Sequence, residues 1–115
     1  MSKNYLMSER EFMDQVIDLA HVYGWIVAHF RVARTKDGWV TPVSADGAGF
    51  PDLIILREGR MIVAELKRED GNLTPEQYFW LLEFMKVTDD VYLWKESDWE
   101  EAKIVLTPTH KGETG

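Results

Sequence analysis

The sequence predicts an α/β domain in which helices flank a small mixed β-sheet. Three observations lead there. Three Ser or Thr residues are each followed three positions later by Glu or Gln, the capping-box pattern that opens helices. Two apolar runs, DLIILR (52–57) and RMIVAELK (60–67), flank Glu58 and Gly59 as the arms of a tight hairpin. Two further runs, WIVAHFRV (25–32) and VYLW (91–94), have the β-branched and aromatic make-up of strands.

In chain order, the first capping box is Ser8 with Glu11. It opens a helix whose apolar positions Phe12, Met13, Val16, Ile17, Leu19 and Ala20 run to about Tyr23, where Gly24 is suited to end it. The strand at 25–32 follows. The next stretch, ARTKDGWVTPVSADGAG (33–49), holds three glycines and a proline among few apolar residues and is expected to be a long loop. After the hairpin, Thr74 and Gln77 open a second helix with Pro75 in its first position, where the missing N–H does no harm. Tyr78, Leu81, Leu82 and Met85 share one side of it. Beyond the strand at 91–94, Ser97 with Glu100 starts a short third helix, and KIVL (103–106) has the composition for a last strand. One domain over 1–107 with a flexible tail at 108–115 is the expected organisation.

A chain of 115 residues with 45% hydrophobic content supports one core. The absence of Cys excludes disulfides and thiolate metal sites and fits a reducing cytoplasm. No apolar run reaches the roughly 18 residues of a membrane span, so no membrane partner is expected. The net charge of −7 argues at first against nucleic acid, whose phosphates draw on Lys and Arg. Its distribution weakens that argument. Through Arg68 there are nine basic and nine acidic residues, and the remainder holds four and eleven. Residues 28–36 carry Arg31, Arg34 and Lys36 with no acid among them, a basic strip suited to phosphates.

With Glu58 and Gly59 as the two turn residues, opposed positions on the hairpin have numbers adding to 117, so Asp52 faces Glu65. Opposed side chains share a face with Cβ atoms about 4.5–5.5 Å apart, and like charges there destabilise the pair. Lys67 lies on the same face about 6.6 Å beyond Glu65. A divalent cation would resolve the repulsion, because Mg²⁺ is held by one or two carboxylates together with waters and substrate phosphates. The plainer alternative is an Asp at a strand start and a solvated Glu-x-Lys pair. Spacing alone leaves both open.

The segment GFPDLIILREGRMIVAELKREDGNLTPEQYFWLLEF (49–84) resembles the PD-(D/E)XK nuclease motif, with Pro51-Asp52 as its first half and Glu65-Leu66-Lys67 as its second. The continuation through LTPEQ is similar to the VRR-NUC branch of that superfamily, found in stand-alone phage and bacterial nucleases. The resemblance runs from about Ser8 to Trp99. It implies a restriction-endonuclease-like core, Mg²⁺ or Mn²⁺ as cofactor, and cleavage of DNA, with branched or junction DNA as the expected substrate. It also implies a homodimer, Asp52 and Glu65 as metal ligands with the Leu66 carbonyl, and Lys67 positioning the attacking water. The family places a first-helix Glu near the metal. Glu9 and Glu11 compete for that role, and helical spacing puts Glu9 in line with Phe12, Met13, Val16 and Ala20 on the core side. Gln77 matches the family's helix glutamine but equally fits a capping box with Thr74. Arg31 and Arg34 are expected to meet phosphates, His29 to be a packed strand residue, and Tyr78 and Trp80 to pack in the core. Trp39, isolated in the polar stretch, is suited to stacking on a base or meeting a partner. The rival expectation is a catalytically silent nucleic-acid-binding or assembly module that retains the fold.

Overall fold

A computed structural model describes residues 7–30, 33–36, 38–40 and 44–108, and for 33–35 and 38–40 the backbone alone. Helix α1 (Glu9–Val22) starts where the first capping box predicts. The Ser8 hydroxyl accepts from the Glu11 N–H at 3.1 Å, and the Glu11 carboxylate accepts from the Ser8 N–H at 2.9 Å. Gly24, at φ +85°, lets the chain leave the helix in a left-handed turn. Strand β1 (Ile26–His29) then pairs antiparallel with β4 (Leu53–Arg57), and β4 with β5 (Arg60–Leu66). The hairpin register is the expected one, from Arg57 opposite Arg60 to Leu53 opposite Ala64. Helix α2 (Pro75–Met85) carries the chain across to β6 (Val91–Trp94), which lies parallel to β5. The main sheet therefore has the order β1-β4-β5-β6, a mixed sheet with helices packed on it.

The main core forms where α1 and the last helix, α3 (Trp99–Leu106), meet one sheet face. Phe12, Met13, Val16 and Ala20 of α1, Ala102 and Leu106 of α3, and Leu53, Ile55, Ile62, Ala64, Leu66 and Trp94 of the sheet form one buried cluster. Val63 alternates with Ile62 and Ala64 and so points to the other face. It is buried there, as is Leu81 of α2, outside that cluster. Every residue from Ile62 to Leu66 is buried, because β5 is covered on both faces. The carboxyl end of this strand is where the site is built.

Four expectations are corrected. Residues 33–49 are not all loop: β2 (Ala33–Thr35) and β3 (Gly38–Val40) form a separate two-stranded sheet, too short and polar to show a strand period. Ser97 does not cap the third helix. Its hydroxyl donates to Glu69 Oε2 at 2.7 Å, and a 3-10 turn (Glu96–Asp98) leads into α3, with the Lys95 N–H donating to Asp98 Oδ2. Residues 103–106 belong to α3 and not to a strand, since Ala102 and Leu106 bury at helical spacing. Tyr78, expected in the core, is exposed; of the four α2 residues on its side only Leu81 is buried, and Leu82 and Met85 are exposed as well. The expected tail at 108–115 lies, beyond Pro108, outside the described residues.

Candidate active site

Two strands bring the acids together. Asp52 precedes β4 in a bend, held by the buried Pro51 on one side and by its own carbonyl, which accepts from the Phe30 N–H at 3.2 Å. Gly49, three residues earlier, makes this approach possible. At φ +82° it passes so close to the start of α2 that an added Cβ would lie 2.6 Å from the Glu76 carbonyl carbon. On β5, Glu65 is only 1% exposed, the one charged residue type found buried among the described residues. Asp52 reaches across the hairpin to accept the Leu66 N–H on Oδ2 at 2.9 Å, and its carboxyl is hydrogen-bonded to that of Glu65.

Two carboxylates can share a hydrogen bond only if one keeps a proton. Burial, the charge of Asp52 and the bond to Asp52 push Glu65 up to about 9. Asp52 is also raised by burial, against the Leu66 N–H and the bond from Glu65, which favour its ionised form. Both carboxyls are raised, Glu65 the further, so the pair holds one proton between them. Glu65 Oε1 is nevertheless buried with no hydrogen-bond partner among the described residues, an arrangement that costs stability unless another group satisfies it.

Glu9, at the start of α1, stands close enough to feel both Asp52 and Lys67. Burial and the Asp52 charge raise its pKa, and Lys67 opposes them. Glu11 is taken up by the capping box. The facial spacing of α1 therefore separates the two glutamates as expected. Lys67, half-buried just beyond β5, acts on Asp52, Glu65 and Glu9 together as the local positive charge. His29 joins this group unforeseen. It ends β1 opposite Leu53, and its charge favours ionised Asp52. Alternation along β1 could have found it only with the β1–β4 register in hand.

Gln77 sits in the capping box of α2: its Oε1 accepts from the Thr74 N–H at 2.9 Å, and its own N–H donates to Thr74 Oγ1 at 3.1 Å. Its carbonyl is thereby used, which leaves the side-chain NH₂ as the group it can offer elsewhere. Arg31 lies outside the described residues. Arg34 is described by its backbone alone, opposite Trp39 in the small sheet, and Lys36 is exposed in the turn between β2 and β3. Three arginines elsewhere are engaged. Arg57 donates to the Tyr23 carbonyl, Arg68 pairs with Asp70, and Arg60 makes a two-point contact with Asp90 at 2.9 Å.

Among the described residues, no group of three or more His, Asp or Glu stands ready-made in metal-binding geometry. A Mg²⁺ site does not require one, since two carboxylates, a carbonyl and waters suffice. Also among the described residues, no helix is long and apolar enough to cross a membrane. Comparison of the chain with protein-family models, with curated proteins and with solved structures finds no match.

Proposed function

We propose that the chain is a Mg²⁺- or Mn²⁺-dependent nuclease of the PD-(D/E)XK type, similar to the VRR-NUC branch, that hydrolyses phosphodiester bonds in branched DNA. The observation that carries this reading is the pairing of half-buried Asp52 with buried Glu65, whose Oε1 has no partner among the described residues, and Lys67 beside them. A pair built only for stability would place two apolar residues there. Asp52 and Glu65 would hold the cation, with the Leu66 carbonyl completing the set and Glu9 in direct or water-mediated contact. The bound cation supplies positive charge for the phosphate oxygens and acidifies water. Lys67 then orients the attacking water and stabilises the negative charge that develops on the phosphate. Gln77 offers its NH₂ to the same substrate, and Arg31, Arg34 and Lys36 supply cations for the flanking phosphates. A second copy, covering the exposed apolar side chains of α2 and β6, would present two such sites to the two strands of a junction.

The test is cleavage of linear, flap and four-way-junction DNA with Mg²⁺ or Mn²⁺. Wild type should cut the branched substrates, and Asp52→Asn should abolish cutting while the circular-dichroism spectrum is unchanged. Lys67→Ala should keep Mn²⁺ binding by calorimetry yet lose turnover by orders of magnitude. Normal cleavage by Asp52→Asn would overturn the assignment. Loss of metal affinity in Lys67→Ala would make that lysine a structural ion-pair partner.

A further inference from the structure

A second feature lies next to the carboxylates and has no part in holding a cation. Phe30, Ser44, Ala45, Asp46, Gly47, Phe50 and Trp80 line an open cavity of about 460 Å³, within the range of about 300–1,000 Å³ typical of ligand sites. Its rings are fixed by one another. Phe50 meets Phe30 edge-on at 5.1 Å and Trp80 at 5.0 Å. The Trp80 indole N–H is shared between the Asp46 and Ala48 carbonyls at 3.2 and 3.1 Å. The cavity is tied to the acids twice: Phe50 is two residues before Asp52, and the Phe30 N–H donates to the Asp52 carbonyl. Ala45, at φ +57°, holds a conformation costly for a residue with a Cβ, so the loop wall is bent at some expense.

We infer that this cavity receives an unpaired nucleobase of the DNA strand whose phosphate lies at Asp52 and Glu65. The inference rests on the nuclease reading. Three rigid aromatic side chains offer any base a stacking partner irrespective of sequence. The Ser44 hydroxyl and the Asp46 carboxylate at the rim can accept hydrogen bonds from base N–H groups, whereas the acid disfavours a phosphate there. A base inside a duplex cannot enter without being unstacked. One at a branch point, gap or single-stranded arm enters at little cost. The pocket therefore selects for DNA with unpaired nucleotides, such as flaps and gaps, over a fully paired duplex.

The test measures binding separately from cutting, with Ca²⁺ in place of Mg²⁺, on a fully paired duplex and on the same duplex with one unpaired 2-aminopurine. Wild type should prefer the second and change the fluorescence of the probe. Phe30→Leu keeps apolar volume but removes a ring, and should lower affinity for the unpaired substrate by about 5- to 150-fold, the span of one base–aromatic stack. Binding to the paired duplex should be unchanged, and Phe30→Tyr should restore the preference. Equal losses on both DNAs, no loss on either, or a change from dimer to monomer on sedimentation would overturn the pocket. Should Phe30→Leu fail to fold, the wild-type fluorescence decides alone, and an unchanged probe overturns the inference. Ring-dependent preference without any cleavage in Mg²⁺ would keep the pocket and discard the nuclease reading. Cleavage without such preference would do the reverse.

Discussion

Glu65 combines three properties that single positions rarely combine: it is buried, its pKa is pushed far above the usual glutamate range, and one of its oxygens has no partner among the described residues. This has a consequence for stability. Unfolded, a Glu releases its proton near pH 4.3; folded, Glu65 retains it to about pH 9. Between those values the native state binds more protons than the unfolded state, so stability falls as pH rises. The contribution is fully present below the ordinary glutamate pKa and is lost as pH passes through the folded value. Glu65→Gln, which cannot ionise, should flatten this fall, by at most about 1.4 kcal/mol per pH unit. Urea midpoints in chelator at pH 6, 7.5 and 9 would check it. A mutant whose midpoint declines with pH as steeply as wild type would show that Glu65 is not the group titrating.

Elements tell how much was legible in the sequence. The starts of α1 and α2 could be read because a capping box is made of four consecutive residues, and both boxes close as expected. The hairpin register followed from its two-residue turn, and with it the meeting of Asp52 and Glu65. What escaped was set by partners far along the chain. Ser97 has the cap pattern, but Glu69, 28 residues away, claims its hydroxyl and its N–H. His29 reaches Asp52 only through the β1–β4 register, and the wall of Phe30, Phe50 and Trp80 is assembled from three separate elements. Two substitutions test the turns. Glu58 is at φ +48°, so Glu58→Asn should stabilise the hairpin by up to about 1 kcal/mol. Gly49→Ala adds both left-handed strain and contact with the backbone of α2, and should cost at least about 2 kcal/mol and weaken metal binding by displacing Asp52. Chemical denaturation measures the first, and denaturation with Mn²⁺ calorimetry the second.

At the scale of the whole molecule, one polar cluster holds the C-terminal part against the sheet. Arg60 grips Asp90 with two nitrogens and donates to the Val105 carbonyl at 3.3 Å, while Tyr92 donates to Asp90 Oδ1 at 2.9 Å. Trp25 lies under the guanidinium at 5.6 Å and donates its indole N–H to the Leu106 carbonyl at 2.7 Å. The bond from Arg60 holds Asp90 below the usual carboxylate range. A depressed acid contributes stability above its unfolded pKa that is lost as pH falls through the folded value. Asp90→Asn should therefore destabilise the neutral protein by about 2 kcal/mol and reduce its loss of stability in acid, both readable from melts at pH 3 to 7. Away from this cluster, α2 exposes Tyr78 at 56%, Leu82 at 41% and Met85 at 55%, and the edge strand β6 exposes Leu93 at 37%. If a second copy covers them, Leu82→Glu with Met85→Glu should yield monomers on sedimentation that bind Mn²⁺ normally and cut junctions poorly.

The turn at Glu58 and Gly59 has a practical consequence. It stands six residues from Asp52 along an extended strand, about 20 Å away, and an added Cβ at Gly59 would meet nothing within 4 Å. The hairpin is thus a lever with its acids at one end and open solvent at the other. A Gly/Ser insert at this tip, or a dye on a cysteine placed there in a chain that has none of its own, leaves the carboxylates undisturbed. Such a label would let single molecules be tethered by the tip and followed with the carboxylate end free.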